Sequence, residues 1–215
     1  MADIHVEVVP VTQFVQNCML VHRGPGPAVC VDPGGEIDRV LEAARTLDVS
    51  VEAILVTHGH RDHIGGLTEL VEATGAPVWF HDWDRWLFDD PGMGRWPAAP
   101  IPIPDDATTV DDGDVVTAAG IDFRVLHTPG HTPGHVCFLH DDVLFGGDLL
   151  FRGSIGRTDL PRGDLHALVT SVKEKIWPLP DDTVVLPGHG PETTIGFEKK
   201  VNPFVGLQVI GDLLS

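Results

Sequence analysis

LVTHGHRDHIGG, residues 55–66, places His58, His60, Asp62 and His63 within six consecutive positions. The run before it, VEAILVTH (51–58), is continuously apolar up to Thr57, the pattern of a strand buried on both faces. The run after it, Ile64 to Thr74, has helical spacing and is stopped by Gly75 and Pro77. The cluster therefore falls where a strand hands over to a helix. In extended chain, His58 and His60 share one face. Asp62 and His63 then open the next turn, so one junction can aim all four side chains into one cavity. Imidazoles mixed with a carboxylate suit zinc, and also iron or manganese.

One loop cannot complete the coordination of two ions, and the remaining strand ends offer more donors. TPGHTPGH (128–135) supplies His131 and His135 in a Gly/Pro-rich turn. FGGD (145–148) supplies Asp148, and LPGHG (186–190) supplies His189. Each lies at the end of an apolar run or in the turn beside it, the places where sheet folds assemble sites.

The rest of the chain supplies a scaffold for these ends. VEVVP (6–10), CMLVH (18–22) and AVCVD (28–32) read as strands, and Ile37 to Leu47 as a helix. VWFH (78–81) is a further strand. Residues 114–128 form a hairpin turning at Ala119-Gly120, and 135–148 another. A helix spans about Leu165 to Trp177 with Asp164 as its N-cap. TVVLPGHG (183–190) is a last strand, and a short helix follows near Ile195 to Asn202. Residues 82–104, with five prolines and the exposed-looking Trp83, Trp86 and Trp96, read as a long surface excursion. The whole fits one domain, 1–215, of two packed sheets flanked by helices.

Composition narrows the function. The formal charge is −18, with Asp+Glu 32 against Lys+Arg 14. Such a surface repels phosphate backbones and anionic membranes, so no nucleic-acid or membrane partner is expected. No apolar run is long enough to span a bilayer and the N-terminus lacks a secretory pattern, so a cytoplasmic location is expected. Cys18, Cys30 and Cys137 sit among apolar neighbours and read as buried free thiols.

THGHRDHIGG, TPGHTPGHV, GGD and PGHGP, in this order, resemble the metallo-β-lactamase superfamily. VDPGG (31–35), GSIGRTDLPRGD (153–164) and PGHGPETTIGFEKKVNPF (187–204) extend the resemblance to its short bacterial glyoxalase II-like hydrolases. The resemblance implies an α/β fold, an αββα sandwich of two mixed sheets with the metals at one edge. It implies that His58, His60 and His131 bind one ion, that Asp62, His63 and His189 bind another, and that Asp148 bridges both. His135 would support these ligands, and Asp32, in its Asp-Pro-Gly turn, reads as tying the backbone near the site. The cofactors implied are two divalent ions, zinc first, with iron or manganese as alternatives. Asp62 and Asp148 would be the catalytic carboxylates, orienting a hydroxide that attacks a carbonyl.

The expected substrate is a small acyl-thiol such as S-lactoylglutathione, since a thiolate leaves without a strong acid. Relatives of other classes define the alternatives: persulfide dioxygenases with one iron, and lactonases or other ester hydrolases. The chain has no tyrosine, a residue that several lactonases and longer glyoxalase II enzymes place near the metals. Those longer enzymes grip glutathione with a C-terminal domain. Here Arg152, Arg157, Arg162, Lys199 and Lys200 are the candidate anion contacts, with Arg157 also read as part of an ion pair. His5, His22, His81, His140 and His166 match no ligand motif and read as structural, as does His127. A monomer or homodimer is expected.

Overall fold

Alternation along the strands sorts apolar side chains into separate layers. The computed structural model describes residues 4–209. The first sheet is formed by β1 (His5–Val11), β2 (Gln16–His22), β3 (Gly26–Val31), β4 (Val49–Leu55), β5 (Val78–Phe80) and β6 (Thr108–Thr109), in that spatial order. Its first two pairings are antiparallel and the next three parallel. The second half contributes β7 (Val115–Ala118), β8 (Ile121–His127), β9 (Val136–His140) and β10 (Val143–Gly147). A small hairpin of β11 (Leu150–Phe151) and β12 (Ser154–Ile155) follows, then β13 (Val184–Pro187) and β14 (Thr193–Thr194). The second sheet runs β14-β13-β10-β9-β8-β7, with β10 and β13 parallel and its other pairs antiparallel.

Met19, Val21, Val29, Val31 and Leu55 of the first sheet meet Phe123, Val125, Phe138 and Phe145 of the second. Burying each such phenylalanine contributes roughly 1.5–3 kcal/mol. The alternate residues of the first sheet, Cys18, Leu20, Cys30, Ile54 and Val56, face outward against helices α1 (Ile37–Thr46), α2 (Arg61–Ile64) and α3 (Leu67–Thr74). A further helix, α4 (Arg85–Asp89), opens the 82–104 segment. On the other side, Cys137, Leu144 and Val185 pack against α5 (Leu165–Ser171), its π-type extension Val172–Ile176, and α6 (Ile195–Val201). The result is four layers, helix-sheet-sheet-helix, with mixed sheets inside. Asp164 caps α5 by accepting the Ala167 amide at 3.0 Å. All three cysteines are buried and unbridged. Among the described residues, no helix is long and apolar enough to cross a membrane.

Two sequence expectations are corrected. The helix expected over 64–74 is interrupted. Gly65 and Gly66 pass so close to the Pro33-Gly34 turn that a Cβ on Gly65 would lie 2.7 Å from Gly34 O. One on Gly66 would lie 2.6 Å from Ile37 Cγ1. That close approach ends α2 and restarts the chain as α3. The segment 82–104 is also less superficial than its composition suggests. Asp84, Leu87 and Phe88 are buried and Trp86 is half-buried, while Trp83 and Trp96 are exposed.

Candidate metal centre

The four residues after β4 and those after β8, β10 and β13 meet at one edge of the sandwich. The strand ends carry them there, so each side chain is positioned by a rigid element. His58, His60, His63, His131, His135 and Asp148 are buried, and Asp62 and His189 are half-buried. His58, His60 and His131 each offer a ligand atom within 4.8 Å of the others, and so do Asp62, His63 and His189. Asp148 lies between the sets. Its Oδ1 is 3.3 Å from His63 Nε2, and its Oδ2 is 3.5 Å from His131 Nε2 and 3.7 Å from His189 Nε2.

The surrounding hydrogen bonds fix which ring nitrogens face inward. Asp32 Oδ1 accepts the Thr57 amide at 2.7 Å, and its Oδ2 accepts the Thr57 hydroxyl at 2.6 Å. The Thr57 proton being so engaged, its oxygen accepts from His58 Nδ1 at 3.1 Å. His63 Nδ1 donates to Asp32 Oδ2 at 2.8 Å, His131 Nδ1 to Arg157 O at 2.7 Å, and His189 Nδ1 to Phe14 O at 3.1 Å. In all four rings Nδ1 is committed to an oxygen, which leaves Nε2 as the nitrogen that faces the cavity. His60 is reversed: its Nδ1 lies 2.8 Å from His131 Nε2. Asp32 also lies within reach of His58 and His63 as a donor group. Its oxygens already accept three hydrogen bonds, so it supports ligands.

The fit to cations rests on atoms left without partners. His58 Nε2, His60 Nε2, His63 Nε2 and Asp148 Oδ1 are buried with no hydrogen-bond partner among the described residues. Buried polar atoms are seldom left this way, and three imidazole nitrogens with a carboxylate oxygen around one cavity match divalent ions. The electrostatics agree. Burial, reinforced by neighbouring imidazoles, holds His58 well below the usual histidine range and His60 at about 3. Burial lowers His131 as well. For His63 burial is outweighed by the charges of Asp148 and Asp32, and for His189 by the Asp62 hydrogen bond and Asp148, so both are raised. Burial would push Asp148 and Asp62 up. His63 and its imidazole neighbours hold Asp148 far below the carboxylate range, and the His189 hydrogen bond lowers Asp62.

Residues 11–189 match the family profile described as the metallo-beta-lactamase superfamily. The chain belongs to that superfamily. It is 40% identical over 209 residues to hydroxyacylglutathione hydrolase GloC of Haemophilus influenzae, covering 94% of this chain and 98% of that one. The solved structure of the BLEG-1 B3 metallo-beta-lactamase superposes with a TM-score of 0.86 at 37% identity, covering 94% of this chain and 99% of that one. That of TTHA1623 in a di-iron-bound form gives 0.81 at 40% identity, covering 93% and 100%. The four-layer arrangement is thus the metallo-beta-lactamase fold, and the superfamily is one of metal-dependent hydrolases.

Within this metallo-beta-lactamase site the candidate supporting residues have distinct places. His135 does not reach the donor sets. Its Nε2 accepts the Asp148 amide at 3.0 Å while its Nδ1 donates to Thr128 Oγ1 at 2.9 Å, so it fixes the backbone of Asp148. Arg157 acts through its carbonyl on His131, while its guanidinium pairs with exposed Asp159 at 2.7 and 2.8 Å. His127 stacks on His81 with centroids 4.2 Å apart.

Two polar supports escaped the sequence reading. Asn17 Nδ2 donates to Pro187 O at 3.0 Å and Gly190 O at 2.9 Å, bracketing the turn that carries His189. Asp84 accepts the Gly59 amide at 2.9 Å, the Thr132 hydroxyl at 2.6 Å and the Gly134 amide at 2.7 Å. It thereby joins the loop of His58 and His60 to the loop of His131 and His135. Burial raises its carboxyl, and the three donors offset part of that rise.

Proposed function

We propose that the protein hydrolyses thioesters of small thiols, hydroxyacylglutathione foremost, with two divalent ions. His58, His60 and His131 would hold one ion, Asp62, His63 and His189 the other, with Asp148 shared. The observation that carries this reading is the pair of complete donor sets on either side of Asp148. Likeness to GloC, a hydroxyacylglutathione hydrolase by name, supports it. Bound divalent ions supply Lewis acidity and bring the pKa of a water towards neutrality, which carbonyl hydrolysis near pH 7 requires. Zinc is proposed first, and iron remains a candidate because TTHA1623 was solved in a di-iron-bound form.

The protein's own groups have separable tasks. Asp62 is held ionised by His189 and His63 and is half-exposed, so it can accept a hydrogen bond from an attacking water and orient it. Asp148, anchored at its amide by His135, keeps the two donor sets in register. No general acid is needed for departure of a thiolate. The absence of tyrosine removes a contact that the lactonase alternative calls for.

The test is loss of S-lactoylglutathione in the presence of purified protein, with a chelated sample as control. Rapid, chelator-sensitive loss supports the proposal. No loss from metal-replete protein, with oxygen uptake on glutathione persulfide, would replace it with the dioxygenase alternative.

A further inference from the structure

Arg162 occupies a backbone position suited to glycine. In Leu160-Pro161-Arg162-Gly163 the Gly163 amide donates to Leu160 O at 2.9 Å, and Arg162 has φ 65°. Proline second and a left-handed residue third is the pattern of a type II turn, where glycine or asparagine is usual at the third position. A non-glycine residue stays in this region only where its surroundings hold it there. Here the guanidinium lies over the Trp86 ring, 4.3 Å from its centroid. It makes no ion pair or side-chain hydrogen bond among the described residues. Trp86 Nε1 is itself buried without a hydrogen-bond partner among them. Arg157, by contrast, is bound through two nitrogens to Asp159.

The stack sits where the two ligand loops meet. Trp86 lies on α4 between Asp84, which holds the Gly59 and Gly134 amides, and Leu87, which packs on Gly59. Arg162 comes from the segment whose Arg157 carbonyl holds His131. The Asp164 amide of that segment donates to Gly130 O at 2.8 Å. A chain of formal charge −18 repels an anionic substrate at long range, so a fixed cation beside the ligand loops has an evident use. A planar guanidinium lying on an aromatic face has its N–H edge available for bidentate pairing with a carboxylate.

We propose that Arg162, supported by Trp86, binds a carboxylate of the thiol carrier, an inference that rests on the acyl-thiol reading above. The pair forms the anion subsite, and Trp86 sets the plane in which the guanidinium presents its donors.

The test is calorimetric titration of metal-loaded protein with S-hexylglutathione, which cannot be hydrolysed, and with its diethyl ester, which lacks free carboxylates. Arg162→Gly removes the cation and suits the turn. It is expected to weaken S-hexylglutathione by roughly tenfold to a hundredfold, the range for a charge-assisted hydrogen bond. The ester's affinity should stay unchanged and the Tm should not fall. Arg162→Lys, which keeps the charge without the fork, should fall between. Equal affinity of the wild type for conjugate and ester, unchanged affinity in Arg162→Gly, or no binding by the wild type would overturn the subsite. Failure of the two proposals is distinguishable. Lost affinity in Arg162→Gly without any thioester turnover by the wild type would leave the subsite standing and remove the hydrolase reading. Thioester turnover with an unchanged KM in Arg162→Gly would do the reverse.

Discussion

Asp84 Oδ2 accepts the backbone amide of Gly59, the residue between His58 and His60, at 2.9 Å. The same carboxylate holds Thr132 and Gly134 beside His131. Asp84→Ala leaves three buried donors unpaired, each costing about 1–3 kcal/mol. Urea unfolding of the metal-free variant should show a loss of about 3 kcal/mol or more. Metal competition against a chromophoric chelator should show the His58, His60 and His131 set weakened more than the Asp62, His63 and His189 set. Equal weakening of both would mean that Asp84 supports the fold without placing these loops.

Asp62 is expected to separate catalysis from stability. It is half-exposed and on a short helix, so Asp62→Ala should change unfolding free energy little. Thioester turnover should drop by roughly a hundredfold or more, the lower range for a lost general base. Steady-state kinetics on S-lactoylglutathione beside a thermal melt measures both. A variant with near-normal turnover would rule out the role assigned to Asp62.

What the sequence disclosed and what it hid follow from one physical difference. His58, His60, His131, Asp148 and His189 stand at the ends of apolar runs, where such residues have no place unless they serve chemistry, so they were legible. The strands were legible as apolar runs, but Cys18, Met19, Leu20 and Val21 follow one another without a polar break, so which face of the sheet each takes was not. Asp84 is one aspartate in an acid-rich chain, and its partners lie 25 to 50 positions away. Asn17 acts on carbonyls 170 and 173 positions away. Neither leaves a local pattern. The break at Gly65 and Gly66 was hidden too, because its cause is the distant Pro33-Gly34 turn. The two-residue strands β6 and β14 are too short to carry any periodicity.

The two donor sets should differ in pH dependence. In the metal-free protein His63 and His189 have raised pKa values, so each holds a proton to higher pH than an ordinary histidine. An incoming ion must displace those protons, and affinity at that set should rise with pH through the neutral range. His58, His60 and His131 are lowered and are already proton-free near neutrality. Uptake there should release few protons and weaken only in acid. Zinc calorimetry at about pH 6 and about pH 8, in buffers of differing protonation enthalpy, counts the protons for each phase. Equal proton release in both phases would contradict the assignment.

Gly188 precedes His189 and leaves no room for a side chain. A Cβ there would fall against Asp148 Oδ1 and within 2.6 Å of His63 Cε1. Gly188→Ala should therefore displace Asp148, lower bound metal per chain, and destabilise by about 1–3 kcal/mol. Metal analysis after dialysis and a urea curve read the two effects.

The first sheet delivers His58, His60, Asp62 and His63, and the second delivers His131, Asp148 and His189. An ion held among them rivets the two halves of the sandwich together. The spacing that it needs is set some way off, by Leu55, Phe138 and Phe145 between the sheets. A substitution in that layer that alters the gap by a fraction of an ångström should therefore loosen metal binding at the far edge before it unfolds the chain.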